Sequence, residues 1–189
     1  MNNFLDSFYG LLFSPDKTFD NLRENPPLFQ GFLIVLFISI LNPVLNFKTF
    51  DGTATLIWLS LSIFGALLFG LLSWLFFAFF LDLVASIFGQ SGKIKIFLTL
   101  SAFALIPWVF LGPIELLKTA GLLADIFAIF LGLLVWLWVV VLVIKAIIKT
   151  YQLSFGKTLT LLIIPSLGGF LTFYWTIGFF STLFQILKV

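Results

Sequence analysis

The chain contains no cysteine and no histidine. Disulfides, thiolate zinc sites, thiol nucleophiles, haem ligation through imidazole and any Ser-His-Asp arrangement are therefore excluded. Charge is scarce as well. Charged residues make up 10% of the 189 positions, against about 25% in a soluble globular chain. A net charge of +2 is too small to point to nucleic acid. Phosphate-cradling glycine loops are missing too, because "GQSGK" (Gly89 to Lys93) lacks the Walker spacing. The acids in or near the apolar runs are Asp82, Glu115 and Asp125, and their spacing puts no two of them on one helix as a metal pair. With no nucleophile, base or ligand set to work with, the sequence points away from an enzyme and calls for no cofactor.

What it has instead is hydrocarbon. Hydrophobic residues reach 61% of the chain, and the mean hydropathy is +1.21. Apolar runs exceed the length that a water-soluble core needs, and strict apolar/polar alternation is absent, which argues against a β-barrel. The fold class is all-α integral membrane. The first basic residue is Lys17, so the basic opening of a cleavable signal is missing.

Residues 1–27 read as a cytoplasmic amphipathic, juxtamembrane segment of two short helices. In the first, Phe4, Leu5, Phe8, Leu11 and Leu12 share a face. The second opens at Ser14-Pro15 and stops at Asn25-Pro26-Pro27. Residues 28–189 read as a five-transmembrane-helix bundle, with spans at about 29–47, 55–82, 94–111, 122–148 and 158–187. Pro43 is expected to kink or end the first span. Ala54 to Phe88 is too short for two spans and a turn, so it predicts one long helix. If that helix enters near Leu56, Asp82 lies about 39 Å further on, beyond a hydrocarbon core of about 30 Å. If entry is nearer Ile63, Asp82 moves inward, where an acid marks a functional site by default.

The third span contains Pro107, and Gly112-Pro113 is expected to end it, leaving "PIELLKTAG" as a short surface helix. In the fourth, Ala120, Ala124, Ala128 and Gly132 form a small-residue stripe for close helix packing, with Ala66 and Gly70 as a matching surface. The same stripe would suit a homo-oligomer contact. Pro165, Gly168 and Gly169 interrupt the last span, where a kink or a broken helix is expected. Five spans collect Lys17, Arg23, Lys93, Lys95, Lys145, Lys149 and Lys157 on one side, and Lys48, Lys118 and Lys188 on the other. The lysine bias puts the N-terminus in the cytosol and the C-terminus outside.

Three stretches look familiar. They are "FSPDKTFDNLRENPP" ahead of the first span, "GQSGKIKIFLTLSAFALIP" into the third, and "YQLSFGKTLTLLIIP" into the last. Together they resemble bacterial members of the Yip (Rab-interacting) integral membrane protein family. Gln90 departs from the family's usual Gly-Gly turn, and Asp82 stands where many relatives have histidine or another polar residue. The resemblance implies five helices with a cytosolic N-terminal segment, in a bacterial cytoplasmic (inner) membrane. Eukaryotic relatives are linked to Rab GTPases and vesicle traffic, a role that the resemblance does not carry to a bacterial member.

Two functions then compete. A membrane scaffold or adaptor would use a cytoplasmic contact surface of Phe8, Pro15, Phe19, Leu22, Arg23, Lys93 and Lys95, touching a protein partner or lipid headgroups. The alternative reading of Phe19 and Leu22 is packing against the protein's own helices. A small transporter, channel or lipid-moving protein, alone or as an oligomer, would instead line a path with Asp82, Pro107, Pro165, Gly168 and Gly169.

Overall fold

The computed structural model describes residues 4–45, 53–118 and 121–164. Every regular element among them is helical. The order is α1 (Phe4–Phe13), α2 (Pro15–Glu24), α3 (Leu28–Leu45), α4 (Thr53–Ser86) and α5 (Ile94–Ala104). A tighter 3-10 segment (Ile106–Phe110), α6 (Leu111–Leu117) and α7 (Leu122–Tyr151) follow, and then α8 (Phe155–Ile164). Four stretches are long and apolar enough to cross a membrane: Leu28–Leu45, Leu56–Ser86, Ile94–Leu117 and Leu122–Tyr151. The expected fifth span begins in α8, and its continuation, with Pro165, Gly168 and Gly169, lies outside the described residues.

α5 is the central element. Phe97 and every residue from Thr99 to Ala104 are buried. α3 and α7 pack along it, while α4 lies chiefly on α3 and reaches α5 less extensively. The small side chains of Thr99, Ser101, Ala102 and Ala104 let neighbouring helices come close, which matters where lipid supplies no hydrophobic drive for association. α4 is peripheral. Its 34 residues make a rod of about 51 Å, longer than the hydrocarbon, and most of its large side chains face outward.

Two boundaries differ from expectation. The third span does not end at Gly112-Pro113. It breaks earlier, over Ile106–Phe110, and α6 starts at Leu111 with that dipeptide inside its first turn. Proline is tolerated there because its missing N–H would have no helical partner anyway, so the proline that marks the break is Pro107. α7 also runs three residues past its expected end, because Thr150 and Tyr151 are buried and Tyr151 packs on Phe97 with ring centroids 5.9 Å apart. At the other break, Pro43 sits inside the last turn of α3.

Candidate functional site

The polar chemistry gathers at one end of the bundle, where α2, the C-terminal ends of α4 and α7 and the start of α5 meet. Asp82 is half-buried four residues before α4 ends. Its Oδ2 accepts the Gly92 amide and its Oδ1 the Lys93 amide, both at 3.0 Å. Those amides precede the first turn of α5, so Asp82 caps that helix from a different one and complements its positive end. The turn can present both amides because Gly89 and Gly92 hold φ of 71° and 77°, which only glycine adopts without cost. The Lys93 ammonium turns away and donates to Gln90 Oε1 at 2.6 Å. Tyr151 is buried at this end as well, and among the described residues its hydroxyl has no hydrogen-bond partner.

Beside this clamp, α2 is ion-paired to α7. Lys145 Nζ meets Asp16 Oδ2 at 2.6 Å, and Lys149 Nζ meets Asp20 Oδ2 at 2.7 Å. With the Gln152 amide oxygen turned toward Arg23, the guanidinium donates to it at 2.7 and 2.8 Å. These pairs were not anticipated, although a signal was present. Asp16 and Asp20 are spaced i, i+4, and so are Lys145 and Lys149, so each doublet occupies one helix face.

The expected contact surface divides. Phe19 and Leu22 are fully enclosed in a core with Leu11, Leu100, Phe103 and Leu142, so packing against the protein's own helices is the arrangement found. Phe8 is half-buried against the same core. Pro15 and Arg23 are half-exposed, Lys95 is exposed, and Lys93 is half-buried. The face that α1 turns outward instead carries Leu5, Tyr9 and Phe13.

Other expected residues lie apart from this end. Pro107 is buried in the 3-10 segment, away from Asp82 along α5. Ala128 packs with Ile114 and Val135, and Ala124 is half-buried. Gly132 borders open space, since a Cβ built there meets nothing within 4 Å. Gly70 is used differently from the expectation: it faces Ser39 of α3, so close that an added Cβ would collide with the Ser39 hydroxyl. Alongside that contact lies a cleft of about 780 Å³ between α3, α4, α5 and α6. Trp74 Nε1 reaches across it to Ser101 Oγ at 3.0 Å. Neither this cleft nor that bond had a signature in the apolar periodicity. Among the described residues, no group of three or more acidic side chains is placed to hold a metal ion.

The Yip1 domain family model matches residues 9–177. Neither a curated protein nor a solved structure matches the chain.

Proposed function

This chain belongs to the Yip1 domain family, and on that premise we propose that it is a membrane scaffold, organising protein or lipid at the cytoplasmic face rather than turning over a substrate. The reading includes a fifth crossing by residues 158–187, a bacterial inner membrane, and an N-terminus in the cytosol. The observation that carries it is the docking of α2. Two ion pairs and the burial of Phe19 and Leu22 fix the N-terminal helices onto the ends of α5 and α7. A platform held in register presents a constant outer surface, here the exposed Lys17, Asn21 and Glu24 of α2 with the exposed apolar Leu5, Tyr9 and Phe13 of α1. That stripe suits the headgroup region, where an in-plane helix buries its apolar side chains.

An aqueous ion path finds less support. The hydroxyls of Ser39, Ser60, Ser62, Ser73 and Thr99 all donate to carbonyls of their own helices. Such hydroxyls are ordinary partners of their own helix backbone and do not by themselves mark an ion path.

The test leaves the core intact. Lys17→Glu, Asn21→Ala and Glu24→Lys together reverse the outer face of α2 without touching Phe19 or Leu22. Affinity purification of the full chain from its native membrane is expected to lose partners while thermal stability stays the same. An unchanged set of co-purifying proteins and lipids rejects the platform.

A further inference from the structure

The cleft between α3 and α4 has a chemistry that the scaffold reading does not use. Its volume of about 780 Å³ falls within the roughly 300–1,000 Å³ typical of ligand sites. The walls are apolar, with Val35, Ile38, Phe69, Phe77 and Trp108 among them. The serines along it are already committed. Ser39 Oγ donates to Val35 O at 2.7 Å and Ser73 Oγ to Gly70 O at 3.1 Å. Ser101 Oγ donates to Leu98 O at 3.2 Å and accepts from Trp74 Nε1 at 3.0 Å. The hydroxyls keep lone pairs to accept with, but apart from these serines, Asn42 and Glu115 the lining is mostly aliphatic and aromatic side chains. Hydrocarbon fits that lining, and α3 and α4, which form two of the walls, both carry exposed apolar side chains on their outer faces.

One end of the cleft is charged. Glu115 lines it, and its Oε1 is held by Lys118 Nζ at 2.7 Å. A carboxylate and an ammonium side by side complement a headgroup that carries both signs. A primary ammonium can also donate hydrogen bonds to Glu115, which a quaternary one cannot do. A headgroup with negative charge alone would meet the carboxylate as a like charge.

We propose that this cleft binds one zwitterionic phospholipid with a primary-amine headgroup, one of its two acyl chains along α4 and its head at the Glu115–Lys118 pair. The site is independent of the scaffold reading and would stand if that reading fell.

The test is native mass spectrometry of the full-length chain, taken from vesicles of equal parts phosphatidylethanolamine, phosphatidylcholine and phosphatidylglycerol. One phosphatidylethanolamine is expected to stay bound, favoured roughly tenfold over the other two, as a charge-assisted hydrogen bond provides. Ala66→Phe fills the cleft from α4 and is expected to remove the bound lipid. Gly65→Phe, one residue along where nothing lies within 4 Å, is expected to retain it. Glu115→Gln is expected to keep a lipid but lose the preference for phosphatidylethanolamine. Equal retention of all three lipids, or undiminished retention by Ala66→Phe, overturns the proposal. If Ala66→Phe does not fold, quenching by brominated acyl chains gives the same decision in the unsubstituted protein. The Trp74 contribution, taken as the difference from Trp74→Phe, should be quenched more by brominated phosphatidylethanolamine than by brominated phosphatidylglycerol. Equal quenching overturns the assignment.

Discussion

Asp82 shows how an acid at the end of a greasy helix can be held by backbone donors. Both of its oxygens accept amides that open α5, so the charge is held by backbone donors at a helix N-terminus. Asp82→Ala removes both acceptors, and the expected cost is about 1–2 kcal/mol, the range of a lost N-cap. Asp82→Asn keeps one acceptor and should cost less. Equilibrium unfolding in mixed micelles measures both, and a neutral Asp82→Ala would show that the clamp adds nothing. That Asp82 stands near the end of one long helix could be read from sequence, because Ala54 to Phe88 is too short for two spans and a turn. Its partner could not. The amides are presented by a turn 10 and 11 residues later, whose shape depends on φ at Gly89 and Gly92, and hydropathy carries no record of φ.

Among the elements, α2 shows the limit of reading amphipathicity. Phe19 and Leu22 stood out as an apolar stripe among charges, but a helix at the membrane surface can turn such a stripe to lipid, to a partner or to its own bundle. Burial settled it, and the aspartates on the adjoining face then set the register against α7. The two contributions differ in size. Leu22→Ala empties a fully enclosed site and is expected to cost about 2–5 kcal/mol. Lys149→Ala breaks a pair that is partly exposed and should cost no more than about 1 kcal/mol. Thermal unfolding of the two variants side by side checks the ranking, and a costlier Lys149→Ala would make charge rather than packing the main support of α2. The α3–α4 contact allows a similar comparison. Gly70→Ala pushes a methyl into Ser39 and is expected to destabilise by about 1–3 kcal/mol. Gly65→Ala, with open space beside it, should be neutral or slightly stabilising because alanine favours the helix. If the two unfold alike, the close approach does not hold these helices together. Gly70 and Ala128 were legible as packing positions, but Gly132 of the same stripe faces open space, and the partners were not legible, since spacing alone gives no pairing between helices.

For the whole molecule, the question is how often the chain crosses. Four long apolar helices bring it back to the end where it began, because Lys145 and Lys149 at the close of α7 grip Asp16 and Asp20 near the start. Asp82, bonded to the Lys93 amide, lies at that end too, while Glu115 and Lys118 belong to the turn at the other. Among the described residues Lys145 and Lys149 share the first end and Lys118 the second, and the proposed reading puts the lysine-rich end in the cytosol. A chain without cysteine allows this to be tested one site at a time. Lys17→Cys, Lys95→Cys and Ser154→Cys are expected to stay unlabelled by a membrane-impermeant maleimide until the cells are opened, while Lys118→Cys should label at once. Lys188→Cys then decides the fifth crossing. If residues 158–187 span the bilayer, it labels from outside with Lys118→Cys. If they turn back, it joins Lys17→Cys, the chain has four crossings, and both termini share one face.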